Sequence, residues 1–119
     1  MTHFSGFGAD ARLKRRGEFR RVFEEGKKTV GRAVIVWHRL DGARLPPRLG
    51  LSVGAKVGNA VRRSRLKRLL RETFRLRRSE LPAGAEIVAY PRPGCSWKGR
   101  ADAENALIEL WRRAGLLRP

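Results

Sequence analysis

The sequence is short of acidic residues, of cysteine and of long apolar runs, and each shortage argues against a class of protein. Its 119 residues include 11 aspartates and glutamates against 28 lysines and arginines, a formal net charge of +17. Such an imbalance destabilises a compact chain by self-repulsion unless a polyanion is its usual partner. Nucleic acid is the leading candidate, because every phosphate that a cation neutralises releases a counterion and adds affinity.

The other shortages concern membranes, export and catalysis. The longest purely apolar run, Ala33 to Trp37, is far too short for a membrane span, so an anionic membrane is the weaker candidate partner. Residues 1–8 contain no signal-peptide core, and the single Cys95 excludes an internal disulfide, so the expected location is the cytoplasm. Neither His3 nor His38 has an evident carboxylate partner, and no residues have zinc-ligand spacing. We therefore predict no catalytic residue and no metal ligand.

The chain length allows one domain with a single core. Residues 1–11 are rich in glycine and lack periodicity, which predicts a flexible N-terminal tail. Residues 12–119 are then one RNA-binding domain. Its first helix carries Phe19, Val22 and Phe23 on one face and should end at Gly26, where a C′ glycine would stop it.

The remaining elements follow from periodicity and turn residues. Strands are predicted over 34–40, 49–53 and 86–90, and helices over 59–78 and 102–114, the last one ended by Gly115. The order is α-β-β-α-β-α, or α-β-β-β-α-β-α if a short strand near Gly31 is counted. Either order predicts an α+β sandwich of helices against one small sheet.

The most informative segment is the basic helix predicted over residues 59–78. Its expected buried stripe consists of Leu66, Leu69, Leu70, Thr73 and Phe74. The cations expected on the other side are Lys67, Arg68, Arg71, Arg75 and Arg78. A merely solvated helix face normally mixes both signs of charge, whereas Glu72 is the one acidic residue of this segment. The pattern therefore favours a nucleic-acid surface.

These residues resemble the arginine-rich signature of the bacterial ribonuclease P protein subunit. In that signature Lys-x-Gly-Asn-Ala-Val leads into Arg-Asn-Arg, then Lys-Arg and Arg-Glu. The matching positions, in fixed register, are Lys56, Gly58, Asn59, Ala60, Val61, Arg63, Arg65, Lys67, Arg68, Arg71 and Glu72. The resemblance extends to the first helix and to the strand at 49–53. Two positions depart from it: Ser64 replaces the central asparagine, and Gly54-Ala55 replace a Ser-Lys pair.

The resemblance implies both a fold and a role. The fold has about three helices on a four-stranded sheet, with a left-handed β-α-β crossover that breaks the usual rule. The role is to bind the catalytic RNA of ribonuclease P and the single-stranded 5′ leader of precursor tRNA, with no small-molecule substrate. The RNA, with Mg²⁺ that it mainly holds itself, hydrolyses the phosphodiester bond. The RNA-binding residues expected are Lys56, Asn59, Arg62, Arg63, Ser64, Arg65, Lys67, Arg68, Arg71 and Arg75.

A leader-binding cleft needs cations for the backbone and flat rings on which bases stack. Phe19, Phe23 and Trp37 are the candidates, and Trp37 stands where the family has an aromatic cleft residue. Aromatic residues at helical spacing are usually core, so core and cleft are equally favoured for Phe23. The cleft is favoured for Phe19, because Val22 already supplies a core contact. Of the other large rings, Phe74 and Trp111 are assigned to the core, and Trp97 is left undecided.

Three alternative classes compete with this interpretation. A small basic ribosomal or other structural RNA-binding protein would have the same composition, but not the signature register. A double-stranded RNA-binding domain shares an α-β-β-β-α order but has no counterpart of the strand at 86–90 and the helix after it. A protein-only ribonuclease would need catalytic residues that the sequence does not offer.

Overall fold

The computed structural model describes residues 9–118. In chain order it contains α1 (Arg16–Glu25), β1 (Lys27–Val30), β2 (Val34–Leu40), β3 (Arg48–Leu51), α2 (Ala60–Arg77), β4 (Ala85–Pro91) and α3 (Arg100–Arg113). Short 3₁₀ turns occupy Ala9–Ala11, Ala55–Val57 and Arg78–Glu80. The predicted α-β-β-β-α-β-α order is confirmed, and the short extra strand lies just ahead of Gly31.

The four strands form one mixed sheet in the order β1-β2-β4-β3. β2 runs antiparallel to both β1 and β4, whereas β3 runs parallel to β4. The β3–α2–β4 unit is therefore a crossover between neighbouring parallel strands, as the resemblance implies. Its left-handed sense stays a prediction of the resemblance.

Helices cover both faces of this sheet. Side chains alternate along β2, so Val34 and Val36 lie on the face toward α2 and α3, while Trp37 lies on the face toward α1. The core side of α2 and α3 is formed by Leu66, Leu70, Phe74, Leu107 and Trp111, none more than 1% exposed. Each such side chain stabilises the fold by about 1.5–3 kcal/mol. The predicted stripe of α2 is confirmed except at Leu69, which is half-buried.

Helices α1 and α3 each end at a glycine, and the structural reason for the glycine differs between them. Gly115 has φ +81°, and Leu116 N–H donates to Trp111 O at 2.8 Å, so α3 ends in the expected left-handed glycine turn. α1 also ends at Gly26 as predicted, but Gly26 has φ −89°, so the left-handed C′ conformation expected there is wrong. A Cβ at Gly26 would overlap the carbonyl oxygens of Val22 and His38. Gly26 is needed because α1 turns into β1 directly against the backbone of β2.

The domain begins earlier than the sequence suggested. Residues 1–8 of the predicted tail, His3 among them, lie outside the described residues. For residues 9–11 the tail prediction is wrong, because they form a 3₁₀ turn in which Ala11 is fully buried. The Asp10 carbonyl also accepts a hydrogen bond from Arg78 at 3.2 Å. The segment therefore belongs to the packed domain.

Candidate nucleic-acid interface

A row of aromatic rings lies where α1 meets the sheet and is here called the aromatic cleft: Phe23 from α1, Trp37 from β2 and Tyr90 from β4. The Phe23 and Trp37 centroids lie 4.9 Å apart, edge to face, and Tyr90 lies 6.1 Å from Trp37 on the other side. Lys28 Nζ lies 5.5 Å from the Trp37 ring centroid, within cation–π range. The cleft thus combines ring faces with a cation, which is what a single-stranded nucleic acid requires.

The two phenylalanines of α1 have different surroundings. Phe23 is 41% exposed beside Trp37, so it lines the cleft. Phe19 is half-buried and packs on a small cluster that includes Val22, and its ring comes within 2.7 Å of where a Cβ on Gly50 would stand. Phe23 therefore lines the aromatic cleft and Phe19 packs beneath α1, while the leader contact predicted for each of them stays a prediction.

Tyr90 was missed by the sequence analysis. Tyr90 is the last residue of the strand predicted over 86–90, and nothing along the chain connects it with Trp37. The β2–β4 register pairs Ile35 with Tyr90 and Trp37 with Val88, which brings Tyr90 beside Trp37 on the same face. The one available signal was that Tyr90 is the only ring in its strand, at the end of an apolar run.

Glu18 fixes the start of the helix that carries Phe23. Its Oε1 accepts hydrogen bonds from the backbone N–H groups of Lys14 and Arg15, both at 2.9 Å, and its Oε2 accepts from Arg48 at 2.6 Å. Burial alone would raise the pKa of Glu18, but these hydrogen bonds outweigh burial and lower the pKa to about 2. The carboxylate therefore stays charged and caps α1 at neutral pH.

The RNA-binding residues predicted on and just before α2 divide into exposed and half-buried groups. The exposed ones are Lys56, Asn59, Ser64, Arg65 and Arg68, and the half-buried ones are Arg62, Arg63, Lys67, Arg71 and Arg75. Asn59 is the N-cap of α2, since its Oδ1 accepts from Arg62 N–H at 2.9 Å. The Arg75 Nε donates to Glu72 at 2.9 Å, an ion pair that lowers the pKa of Glu72. The structure places these residues on α2 or, for Lys56 and Asn59, in the turn that leads into it, and only some of them face outward.

Two arginines of α2 hold the helix against a loop. The Arg62 guanidinium donates to the carbonyls of Cys95 and Trp97, and the Arg65 guanidinium donates to the carbonyl of Lys98. Trp97, undecided from the sequence, is 5% exposed and packs in the core beneath this loop. Arg62 and Arg65 therefore also hold the loop that precedes α3.

Arg78 does not belong to the exposed row of cations in which the sequence placed it. It is 2% exposed, and its Nε donates to Pro47 O at 2.8 Å. Its Nη1 lies 3.4 Å from Asp10 Oδ2. The expectation is wrong because α2 ends at Arg77, and the following 3₁₀ turn directs Arg78 inward.

An open groove of about 650 Å³ lies between α2 and the first turn of α3. We call it the basic groove. Three arginines and one carboxylate line it, and its lining residues are Val61, Ser64, Arg65, Arg68, Leu69, Glu72 and Arg100. Arg100 was not predicted, because its place beside α2 follows from helix packing and not from spacing along the chain. A groove with three arginines suits phosphate groups, which guanidinium donors bind in pairs of hydrogen bonds.

The chemically reactive side chains lie away from both surfaces. His38 is 8% exposed on the sheet face opposite the cleft, and burial, followed by the charge of Lys27, lowers its pKa. Cys95 is 4% exposed, and burial raises the pKa of its thiol. Within residues 9–118 no three His, Cys, Asp or Glu side chains form a group that could hold a metal ion. No helix in the same range is long and apolar enough to cross a bilayer.

Comparison with known proteins decides among the classes of RNA-binding protein. The family model described as Ribonuclease P matches residues 7–115. The chain belongs to the ribonuclease P protein family. The ribonuclease P protein component of Bacillus cereus (strain Q1) is 36% identical over 108 residues, which are 90% of this chain and 93% of that protein. The Clostridium acetobutylicum component is 36% identical over 107 residues, 89% and 90% of the two chains.

Solved ribonuclease P proteins share the fold. The Staphylococcus aureus protein superposes with a TM-score of 0.83 at 28% identity, covering 91% of this chain and 98% of that one. The Thermotoga maritima protein gives a TM-score of 0.76 at 35% identity, covering 86% and 96%. The predicted family, its α+β fold and its place in ribonuclease P are therefore confirmed, and the ribosomal and double-stranded RNA-binding alternatives are wrong. This ribonuclease P protein is the protein component of a tRNA-processing ribonucleoprotein endonuclease and has an RNA partner.

Proposed function

We propose that this protein holds the single-stranded 5′ leader of precursor tRNA in the aromatic cleft. The observation that carries the proposal is the row of Phe23, Trp37 and Tyr90 with Lys28 over the central ring. Stacking on such rings tolerates any base, because every base has a π face, and the cation attracts the backbone. A leader of varied sequence can therefore be held without base-specific hydrogen bonds.

We further propose that the outward side of α2 contacts the catalytic RNA. Lys56 and Arg68 are exposed, and the basic groove adds Arg65 and Arg100 beside the Ser64 hydroxyl. The net charge of +17 makes these contacts strongly dependent on salt. Arg63, Lys67, Arg71 and Arg75 line the half-buried edges of the helix and, in this proposal, follow the same RNA backbone.

In this proposal the protein binds and orients, and the RNA breaks the bond. Within residues 9–118 no three metal-ligating side chains come together, which supports this division of roles. We therefore assign Mg²⁺ to the RNA partner. The expected cytoplasmic location stays a prediction.

The decisive experiment measures cleavage of precursor tRNA by the cognate RNA at low magnesium, with and without this protein. Leader binding is then tested with Phe23→Ala, which should weaken the holoenzyme's affinity for a long-leader substrate by about 1–3 kcal/mol. Affinity for mature tRNA should stay nearly unchanged, because mature tRNA has no leader to stack on the ring.

Phe19→Ala serves as the matched control on the same helix. Because Phe19 packs against Gly50, its loss should lower the melting temperature more than Phe23→Ala does. Equal losses of affinity for long-leader and mature tRNA in Phe23→Ala would contradict leader binding in the cleft. No stimulation of cleavage by the wild-type protein would contradict the proposed function as a whole.

A further inference from the structure

A second depression, separate from the cleft and the basic groove, lies between the β2–β3 loop and the end of α2. It encloses about 470 Å³ and is here called the arginine pocket. The residues that define it are Arg44, Pro46, Arg75, Arg78, Leu81 and Ala83. It thus combines guanidinium groups with an apolar lining, and its volume suits a small organic group.

Arg44 stands in this pocket with an unusual backbone. Among residues 9–118 it is the one non-glycine residue with a positive φ, at 56°. The turn is held by Asp41, whose Oδ2 accepts from Ala43 N–H at 3.1 Å and whose carbonyl accepts from Arg44 N–H at 3.2 Å. A left-handed position normally favours glycine or asparagine. Arginine is therefore uncommon at such a position, and the Arg44 side chain is exposed at the pocket.

The Arg78 side chain at the pocket is already held in position by contacts within the protein. Besides its hydrogen bond to Pro47 O, its guanidinium carbon lies 5.9 Å from the Phe74 ring centroid. The pocket contains three guanidinium groups, and two carboxylates pair with them, Glu72 with Arg75 and Asp10 with Arg78. The balance of charge is positive, so the pocket favours an anionic group with a flat apolar part.

We propose that the arginine pocket receives one unpaired nucleotide of the catalytic RNA, its phosphate on Arg44 and Arg75 and its base against the apolar lining. Unpaired RNA bases are commonly recognised by extrusion into such sites and by stacking on apolar or guanidinium surfaces. The position of the pocket relative to the basic groove supports an RNA nucleotide as its ligand. Arg75 at the pocket and Ser64 in the groove lie on the same helix, α2, roughly 16 Å apart along its axis. The inference rests on the proposed contact between α2 and the catalytic RNA and extends it to the far end of the helix.

Arg44→Gly separates binding from folding. Glycine accepts the positive φ, so the melting temperature should stay the same or rise. Affinity for the catalytic RNA should fall about 10-fold, the usual loss for one charge-assisted hydrogen bond. The slope of log affinity against log salt should become shallower by about 0.7–0.9, one phosphate contact. Arg112→Ala, which removes an exposed arginine from α3, is the matched control and should change neither affinity nor melting temperature by a comparable amount.

Ala83→Trp tests the base separately from the phosphate. Ala83 is exposed in a turn at the rim, so a tryptophan there fills the pocket without removing a charge. Affinity for the catalytic RNA should fall while the salt slope stays as in the wild type. Ser79 is exposed and also lines the pocket. A photoreactive group on Ser79→Cys completes the test, since Cys95 is buried and the new thiol is the accessible one. It should crosslink to one unpaired nucleotide, and Ala83→Trp should abolish that crosslink.

The proposal is overturned if the wild-type protein binds the catalytic RNA and both pocket variants bind as tightly as Arg112→Ala. It is also overturned if the crosslink is absent, falls in a base-paired stem or survives Ala83→Trp. Binding of a small anion or of another protein in the pocket would produce these results. If the wild-type protein itself fails to bind the RNA, the proposed function fails and not the pocket alone.

Discussion

Glu86 is the buried carboxylate that ties α1 to the sheet through two arginines, and its replacement by glutamine should be costly. Glu86 is 3% exposed and accepts from Arg39 Nη1 at 2.8 Å and from Arg48 Nη2. Arg48 also donates to Glu18 at 2.6 Å, and Arg39 to Glu25 at 3.2 Å. Both ends of the helix that carries Phe23 are therefore linked to one carboxylate. Glutamine keeps the shape of the side chain but removes its charge.

The size of the effect follows from burial and from the partners that remain. Removing one member of a buried ion pair costs about 3–5 kcal/mol. Here the side chains of Arg39 and Arg48 are 18% and 21% exposed and keep other carboxylates, so the cost should be smaller. We expect Glu86→Gln to lower the free energy of unfolding by about 2–3 kcal/mol. For a domain of this size the melting temperature should fall by about 10 °C.

Urea denaturation of the protein, followed by circular dichroism, measures this change. Glu25→Gln is the matched control, because the Glu25 side chain is 60% exposed and exposed ion pairs contribute at most about 1 kcal/mol. Below its melting temperature Glu86→Gln should also weaken long-leader binding, since α1 positions Phe23 beside Trp37. If Glu86→Gln and Glu25→Gln had equal effects on stability, the argument that the buried carboxylate anchors α1 would be refuted.

Three further predictions concern stability, pH and salt. Gly26→Ala should lower the free energy of unfolding by about 2–3 kcal/mol, because the added Cβ meets two carbonyl oxygens. Gly17→Ala, in open space on α1, should instead raise the free energy of unfolding by about 0.5 kcal/mol. Urea denaturation of the two variants measures both changes. The pKa of Glu18 is about 2 in the folded protein and about 4.3 in the unfolded chain. The contribution of Glu18 to the free energy of unfolding is therefore complete above pH 4.3 and is lost as pH falls toward 2. Glu18→Gln should make stability depend less on pH in that range. An unchanged curve would mean that other groups cause the loss of stability in acid. Replacing exposed Lys56 and Arg68 by glutamine should make the log–log salt slope of RNA binding shallower by about 1.5, and a slope as steep as the wild type's would mean that both are merely solvated.

Much of this protein could be predicted from the sequence because the deciding patterns are local. Helical periodicity identified Leu66, Leu70 and Phe74 as the buried stripe of α2, and all three are fully buried. Gly115 was expected to end α3, and its left-handed φ of 81° does so. The fixed register from Lys56 to Glu72 indicated the family, because a match at that many set positions along one segment is specific, and the family model confirms it.

Tertiary structure alone decided which of these residues face outward and which partners they meet. Tyr90 joins Trp37 through strand register, and Arg100 joins α2 through helix packing, neither of which leaves a trace in local spacing. Arg78 turns inward because α2 ends one residue earlier, and Phe19 is covered because Gly50 on β3 leaves room for its ring. Periodicity sets the direction of a side chain relative to its own helix axis. Whether that direction meets a carbonyl, a glycine or solvent depends on residues far away in the chain.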